Sequence, residues 1–220
     1  MEHSRSHRAA AGMAIVGALL AAAAVTGLPA AAGAQAPTVY VADLAPLNTT
    51  VTGKAAAGKV TFTVKGDSLT IATDATGLAK GITHWQHFHG FKDGQDAACP
   101  AKSADANGDG IIDLIETGPA AGTTMVPFID DPVSMDVAHG TYPTASAGGA
   151  LHYRKTVSLS ALQEAFAKAF EGQKLDLDKR VVFLHGVPSD TRLAASVASL
   201  GPIPAQVTLP IACGRITRVK

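Results

Sequence analysis

Lys59-Val60-Thr61-Phe62-Thr63-Val64-Lys65-Gly66-Asp67-Ser68-Leu69-Thr70-Ile71-Ala72-Thr73 decides the fold. From Lys59 to Val64 apolar and polar residues alternate with period two, so Val60, Phe62 and Val64 share one face of a strand. Asp67 marks a turn, and Ser68 to Thr73 returns as the hairpin partner. Outward from this hairpin, Gly, Pro, Asn and Asp punctuate short β-branched runs every eight to twelve residues or so, the spacing of an all-β sandwich or barrel. The other strands are read at Val39 to Ala42, Ile82 to Phe91, Leu151 to Leu159, Arg180 to Val187 and Gln206 to Val219. One segment, Ser160 to Gly172, breaks the pattern. Leu162, Phe166 and Phe170 recur every fourth residue, Ser160 and Gln163 form a capping box, and Gly172 stands where a helix would end. It predicts one short amphipathic helix lying against the sheet.

The 220 residues carry 18 Lys+Arg and 18 Asp+Glu. Such a balance, without clustered cations, argues against nucleic acid and against an anionic membrane surface as partners. Residues 1–34 read as a secretory signal peptide: Arg5 and Arg8 precede an apolar run from Met13 to Leu28, and Ala32-Gly33-Ala34 supplies small residues for cleavage. No second long apolar run follows, so no stable membrane span is expected after cleavage. The expectation is an exported domain over 35–220, periplasmic or extracellular. In an oxidising compartment the only two cysteines, Cys99 and Cys213, are expected to form a disulfide. Neither a Walker-type loop nor a dinucleotide fingerprint is present.

Of eight histidines, two leave with the leader and three fall in His84-Trp85-Gln86-His87-Phe88-His89-Gly90-Phe91. On a strand, His87 and His89 face one side while Phe88 faces the other, toward the core. Two imidazoles so placed are positioned for a single metal, and imidazole suits copper and zinc. His84 falls on the opposite face from His87 and reads as a packed or partly solvated histidine rather than a ligand.

Three further features join this strand. Gly77-Leu78 through Gly81-Ile82 and on to His87-Phe88-His89 resembles the copper strand of the copper/zinc superoxide dismutases, with one residue inserted before the first metal histidine. Arg180-Val181-Val182-Phe183-Leu184-His185 resembles the strand bearing that family's last copper histidine, and Leu209-Pro210-Ile211-Ala212-Cys213-Gly214 resembles its C-terminal segment, whose cysteine bridges back to the loop holding Cys99. The resemblance implies a Greek-key, immunoglobulin-like β-sandwich or flattened barrel of about eight strands. It also implies a copper site built by His87, His89, His185 and a fourth histidine, His139 or His152, of which His139 is preferred because its loop can fold over the site.

Two departures stand out. The family's zinc ligands cannot be assembled from this loop, so zinc is not expected. The family's superoxide-steering arginine corresponds to Pro210, so catalysis is expected to be slow unless Arg192 or Arg215 substitutes in space. Where the zinc ligands would lie, residues 105–116 match the twelve-residue EF-hand calcium loop: Asp105, Asn107, Asp109, Ile111 through its carbonyl, Asp113 and Glu116, with glycine at loop position 6.

These observations predict an exported, copper-dependent, superoxide dismutase-like protein stabilised by calcium, with superoxide as its small-molecule substrate and His87, His89 and His185 as the catalytic metal ligands. The alternatives are a non-catalytic copper-binding protein and a calcium-stabilised extracellular structural module. The sequence leaves the oligomeric state open.

Overall fold

A computed structural model describes residues 36–52 and 56–219; the expected leader lies outside the described residues. Eight strands form one curled antiparallel sheet: β1 (Thr38–Pro46), β2 (Ala57–Lys65), β3 (Ser68–Thr76), β4 (Gln86–Gly90), β5 (Thr123–Pro127), β6 (Leu151–Ser158), β7 (Val181–His185) and β8 (Pro210–Arg218). Their order, β5-β4-β7-β8-β1-β2-β3-β6, makes the chain cross over between β3 and β4, between β5 and β6, and between β6 and β7. The two edges approach where the Tyr153 hydroxyl on β6 donates to the carbonyl of Ile129, just past β5, at 2.8 Å. The result is the flattened all-β barrel that the alternation predicts.

The expected hairpin forms, with Val64 opposite Leu69 and Phe62 opposite Ile71. Val60, Phe62, Leu69 and Ile71 are fully buried in the main core with Phe88, Phe128 and Phe166. Burying a side chain of this size stabilises the fold by roughly 1.5–3 kcal/mol, which fixes the register because a one-residue slip would turn all of them to solvent. At the turn Gly66 has φ +56°, a conformation that glycine adopts without penalty. Asp67 does more than turn the chain. Its carboxylate accepts from Ser160 N, Ser158 Oγ and Ser160 Oγ, which hold its pKa below the ordinary carboxylate value and tie the hairpin to the following helix.

Several boundaries differ from the sequence reading. The helix runs Leu159–Ala169, and its N-cap is Ser158, whose Oγ accepts from Ala161 N, so the predicted Ser160/Gln163 box does not form. Gln163 instead bonds Gln173 O and Leu175 N, holding the loop beyond the helix. Among the described residues three one-turn α-helices accompany it, at Thr49–Thr52, Gly118–Ala121 and Ala205–Thr208. The last of these occupies the start of the expected C-terminal strand, because Pro204 opens a helical turn and the β ladder begins only at Pro210. The histidine strand is shorter than Ile82 to Phe91, and Thr123–Pro127 is an unanticipated strand beside it.

Gly90 ends β4 where a Cβ would lie 2.7 Å from Arg180 Cδ and 3.0 Å from Met125 Sδ. Arg180 is fully buried; it donates to the carbonyls of Leu175 and Lys174 and to Gln173 Oε1, and its guanidinium lies 5.5 Å over the Phe166 ring.

Candidate metal centre

β4 and β7 are neighbours, with His87 opposite Phe183 and His89 opposite Val181. Strand alternation sends Phe88 into the core and His87 and His89 to the other face of the sheet, where His185 arrives from the end of β7. That face is not open to solvent here. The bridge between Cys99 and Cys213, with Cα atoms 5.8 Å apart, holds the segment after β4 against the sheet, and Ala97, Ala121, Val181, Phe183 and Cys213 pack into a second small core. The disulfide expected from sequence therefore forms and helps bury the histidines, whose exposures are 3%, 7% and 5% for His87, His89 and His185. Phe183 packs its ring edgewise on His89 at 4.7 Å.

The rings of His87 and His89 lie 4.8 Å apart and those of His87 and His185 4.6 Å apart. One ligand atom from each of the three falls within 4.8 Å of the others; among the described residues this is the one group of three or more His, Cys, Asp or Glu so gathered. Two nitrogens each about 2.0–2.1 Å from one ion stand at most ~4.2 Å apart, so closing on a metal takes about an ångström of side-chain movement.

The hydrogen bonds say which nitrogens are available. His185 Nδ1 lies 2.7 Å from the Thr208 carbonyl, which can only accept, so Nδ1 carries the proton and Nε2 keeps a free lone pair. That Nε2 is buried without a partner, as are His87 Nδ1 and His89 Nδ1. His89 Nε2 sits 3.0 Å from Thr124 Oγ1. Unpartnered buried polar atoms cost free energy, and three of them on adjacent rings fit a donor set for a metal ion. Burial also keeps the rings neutral, the form that ligates. Desolvation, reinforced by the charges that His185 and His89 would carry, holds His87 well below the ordinary histidine value. Desolvation and His185 lower His89 to about 3, and desolvation lowers His185 to about 4 against the opposing Thr208 bond.

The three rings form the floor of a cavity of about 270 Å³ whose walls include Trp85, Leu114, Val137, Leu200 and Thr208. Among the described residues no lysine or arginine lines it. Arg215 pairs with exposed Asp96 at 2.8 Å, and neither it nor Arg192 reaches the cavity. Pro210 is buried, lies outside the cavity lining, and gives its carbonyl to Asn48 Nδ2.

The remaining histidines stand elsewhere. His139, preferred as the fourth copper ligand, does not join the group: its side chain is 85% exposed and pairs with Asp136 at 3.0 Å. Its loop is anchored instead by Tyr142, which stacks on Trp85 and donates to Val137 O, so the neighbour that reaches the cavity is Val137. His152 pairs with Asp74 across β3 and β6, exposed. His84 is a packed histidine, fully buried between the carbonyls of His185 and Ala79.

In residues 105–116 the carboxylates turn to the loop's own backbone. Asp105 accepts from the amides of Gly108, Asp109 and Gly110, and Glu116 from those of Ala106, Asn107 and Asp113. Asn107 Oδ1 accepts from Asp109 N, and Asp109 Oδ1 from Ile111 N. These carboxylates do not gather as closely as the histidines. The loop is nevertheless built into the site. Asn48 clamps Ile112 through both its amide and its carbonyl, Leu114 and Thr117 face the cavity, and two of the acids reach outward. Asp113 Oδ2 accepts from Ala198 N at 2.7 Å, and Asp109 Oδ2 accepts from Ser196 Oγ, fastening the segment that carries Leu200.

Trp85, Leu114, Val137 and Leu200, which line the cavity beside the histidines, were not singled out by the sequence reading. They come from four separate segments and share no motif. The pairing of His89 with Thr124 had no sequence signal either, because Thr123-Thr124-Met125-Val126 does not alternate. No protein-family model matches this chain, and no curated protein matches it.

Proposed function

We propose that this chain is an exported copper protein with superoxide dismutase-like chemistry, its copper held by His87, His89 and His185. The observation that carries the reading is the convergence of three neutral, buried imidazoles with unpartnered nitrogens. A fixed tautomer at His185 and an all-imidazole donor set suit copper. Three protein ligands leave a coordination position facing the cavity. Copper there would supply one-electron chemistry, by which two superoxide ions and two protons give one dioxygen and one hydrogen peroxide. The protein's part is to keep the rings unprotonated, to hold them at the closed end of a cavity, and to limit access by water. The Cys99–Cys213 bridge supports the exported location, since such a bond persists in an oxidising compartment. Among the described residues no helix is long and apolar enough to cross a membrane.

A second reading, a copper-binding protein without dismutase turnover, is favoured by one observation: among the described residues no lysine or arginine lines the cavity to draw in an anion. Residues 105–116 are read as a calcium loop with a structural role, on the spacing of Asp105, Asn107, Asp109, Ile111, Asp113 and Glu116. The test is metal analysis of the protein isolated from the periplasm or medium, followed by a superoxide assay of the copper-loaded form. Stoichiometric copper with turnover supports the enzyme; copper without turnover supports the second reading; no copper uptake overturns both.

A further inference from the structure

The cavity above the histidines is too large and too apolar for a diatomic anion alone. Its volume of about 270 Å³ approaches the lower end of small-molecule sites, which run from about 300 Å³ upward. It equals about nine times the ~30 Å³ share of one liquid water. The side walls are Trp85, Leu114, Val137 and Leu200, and the polar groups are confined to the histidine floor and a few threonines.

The walls are also held in place before any ligand arrives. Trp85 stacks on Tyr142 with ring centroids 5.0 Å apart and 15° between planes. Tyr142 then donates to Val137 O at 2.9 Å, so two walls are fixed to each other. Leu200 stays in reach because Ala198 N and Ser196 Oγ are fastened to Asp113 and Asp109, and Leu200 itself pairs with Ile203. It is nonetheless 48% exposed, among the few large apolar side chains so open, and this puts an apolar rim at the mouth. A pre-formed apolar cavity with polar groups converging at one end is how small neutral organic molecules are bound.

We propose that this site takes a neutral, mainly apolar small organic molecule bearing one nitrogen or oxygen donor, with the donor directed at the histidine floor and the apolar body against Trp85, Leu114, Val137 and Leu200. For the loaded protein the inference rests on the copper reading, since the donor then fills the open coordination position. In the metal-free protein an N–H of the ligand meets an unpartnered ring nitrogen such as His185 Nε2. An inorganic anion finds no cation in the walls and leaves the apolar volume unfilled.

Trp85 is the chain's only tryptophan, so its fluorescence reports the cavity alone. The experiment titrates the metal-free protein with 4-phenylimidazole at pH 8, and follows the visible absorption of copper-loaded protein with 4-phenylimidazole and, separately, with azide. Copper uptake is measured independently by metal analysis. The expected result is a saturable change in Trp85 emission, and tighter binding of 4-phenylimidazole than of azide to the loaded form by about tenfold or more. In Leu200→Glu, a change at a half-exposed position that the fold can accept, affinity for 4-phenylimidazole should fall by about tenfold while copper uptake is kept. Leu200→Gln should show the same direction with no added charge. If copper uptake fails but Trp85 still reports saturable binding, the copper reading falls and the cavity assignment stands. A flat Trp85 titration in the folded protein, affinity unchanged in both Leu200 variants, or azide binding more tightly than 4-phenylimidazole overturns the inference.

Discussion

Reducing the Cys99–Cys213 bridge removes a cross-link between residues 114 apart in sequence without truncating any side chain of the core. On the chain-entropy treatment, closing a loop of that length restricts the unfolded chain by about 4.8 kcal/mol at 25 °C. Using reduced protein rather than a Cys→Ala pair matters, because Cys213 is 2% exposed among Ala97, Ala121, Val181 and Phe183, and truncation would add a cavity penalty of its own. For a folded region of this size each kcal/mol moves the midpoint by roughly 2–4 °C, so the bridge corresponds to a melting shift of about 10–20 °C. Urea unfolding of oxidised and reduced protein, in the presence and absence of dithiothreitol with metal removed from both, gives the difference directly. The reduced form should lose about 3–5 kcal/mol, with hydrogen exchange rising first in the segment between β4 and β5 that the bridge pins. A loss below about 1 kcal/mol would refute the reasoning, by showing either that the unfolded chain is already restricted in this loop or that the second core holds the segment without help.

His185→Gln and His87→Ala should each lower copper affinity by about 100-fold or more, because either removes a ligand, while His139→Ala should leave it unchanged; equal loss in all three, by competitive chelator titration, would remove the three-histidine site. A cation at the mouth should raise superoxide turnover. Thr123 is exposed and lines the cavity whereas Pro210 is buried away from it, so Thr123→Arg should raise the rate a few-fold at low ionic strength and lose the gain near 0.15 M salt; a salt-independent gain would not be steering. Metal-free protein should lose stability as pH falls. Unfolded histidines take up protons near pH 6.5 whereas His185 and His89 resist protonation down to about 4 and 3, so over that window the unfolded chain binds more protons, and the loss should be smaller in His185→Gln. Glu116→Gln should weaken any calcium-dependent rise in melting temperature far more than a change at exposed Ala106, checked by thermal scans with and without millimolar calcium.

The elements that sequence alone made legible are those whose periodicity has a local cause. Val60, Phe62, Leu69 and Ile71 alternate because one face of a sheet must be dry, and the hairpin they predict is present, with both strands longer than expected. The α-helix was visible in the four-residue spacing of Leu162 and Phe166, yet its start was misread. Several serines could cap it, and Asp67, nearly a hundred residues earlier, engages both Ser158 and Ser160, while it is the Ser158 hydroxyl that accepts from Ala161 N. β5 was missed because Thr123 to Pro127 is short and closes in proline, a poor strand residue unless it lies at an edge, which is where the sheet order puts it.

The floor of the site was legible for the same local reason: strand alternation alone puts His87 and His89 on one face. The walls and the fourth histidine were not, because their positions are decided by side-chain bonds between loops. A loop histidine with a carboxylate three residues before it, as His139 has in Asp136, gains a hydrogen-bonded partner in water without crossing to the metal site. Folding His139 over the cavity would break that pair and detach Val137 and Tyr142 from the Trp85 wall. The same contacts that keep His139 out thus hold the apolar side of the cavity in. This arrangement favours a site that is histidine at its base and hydrocarbon at its mouth over one with four imidazoles around the ion.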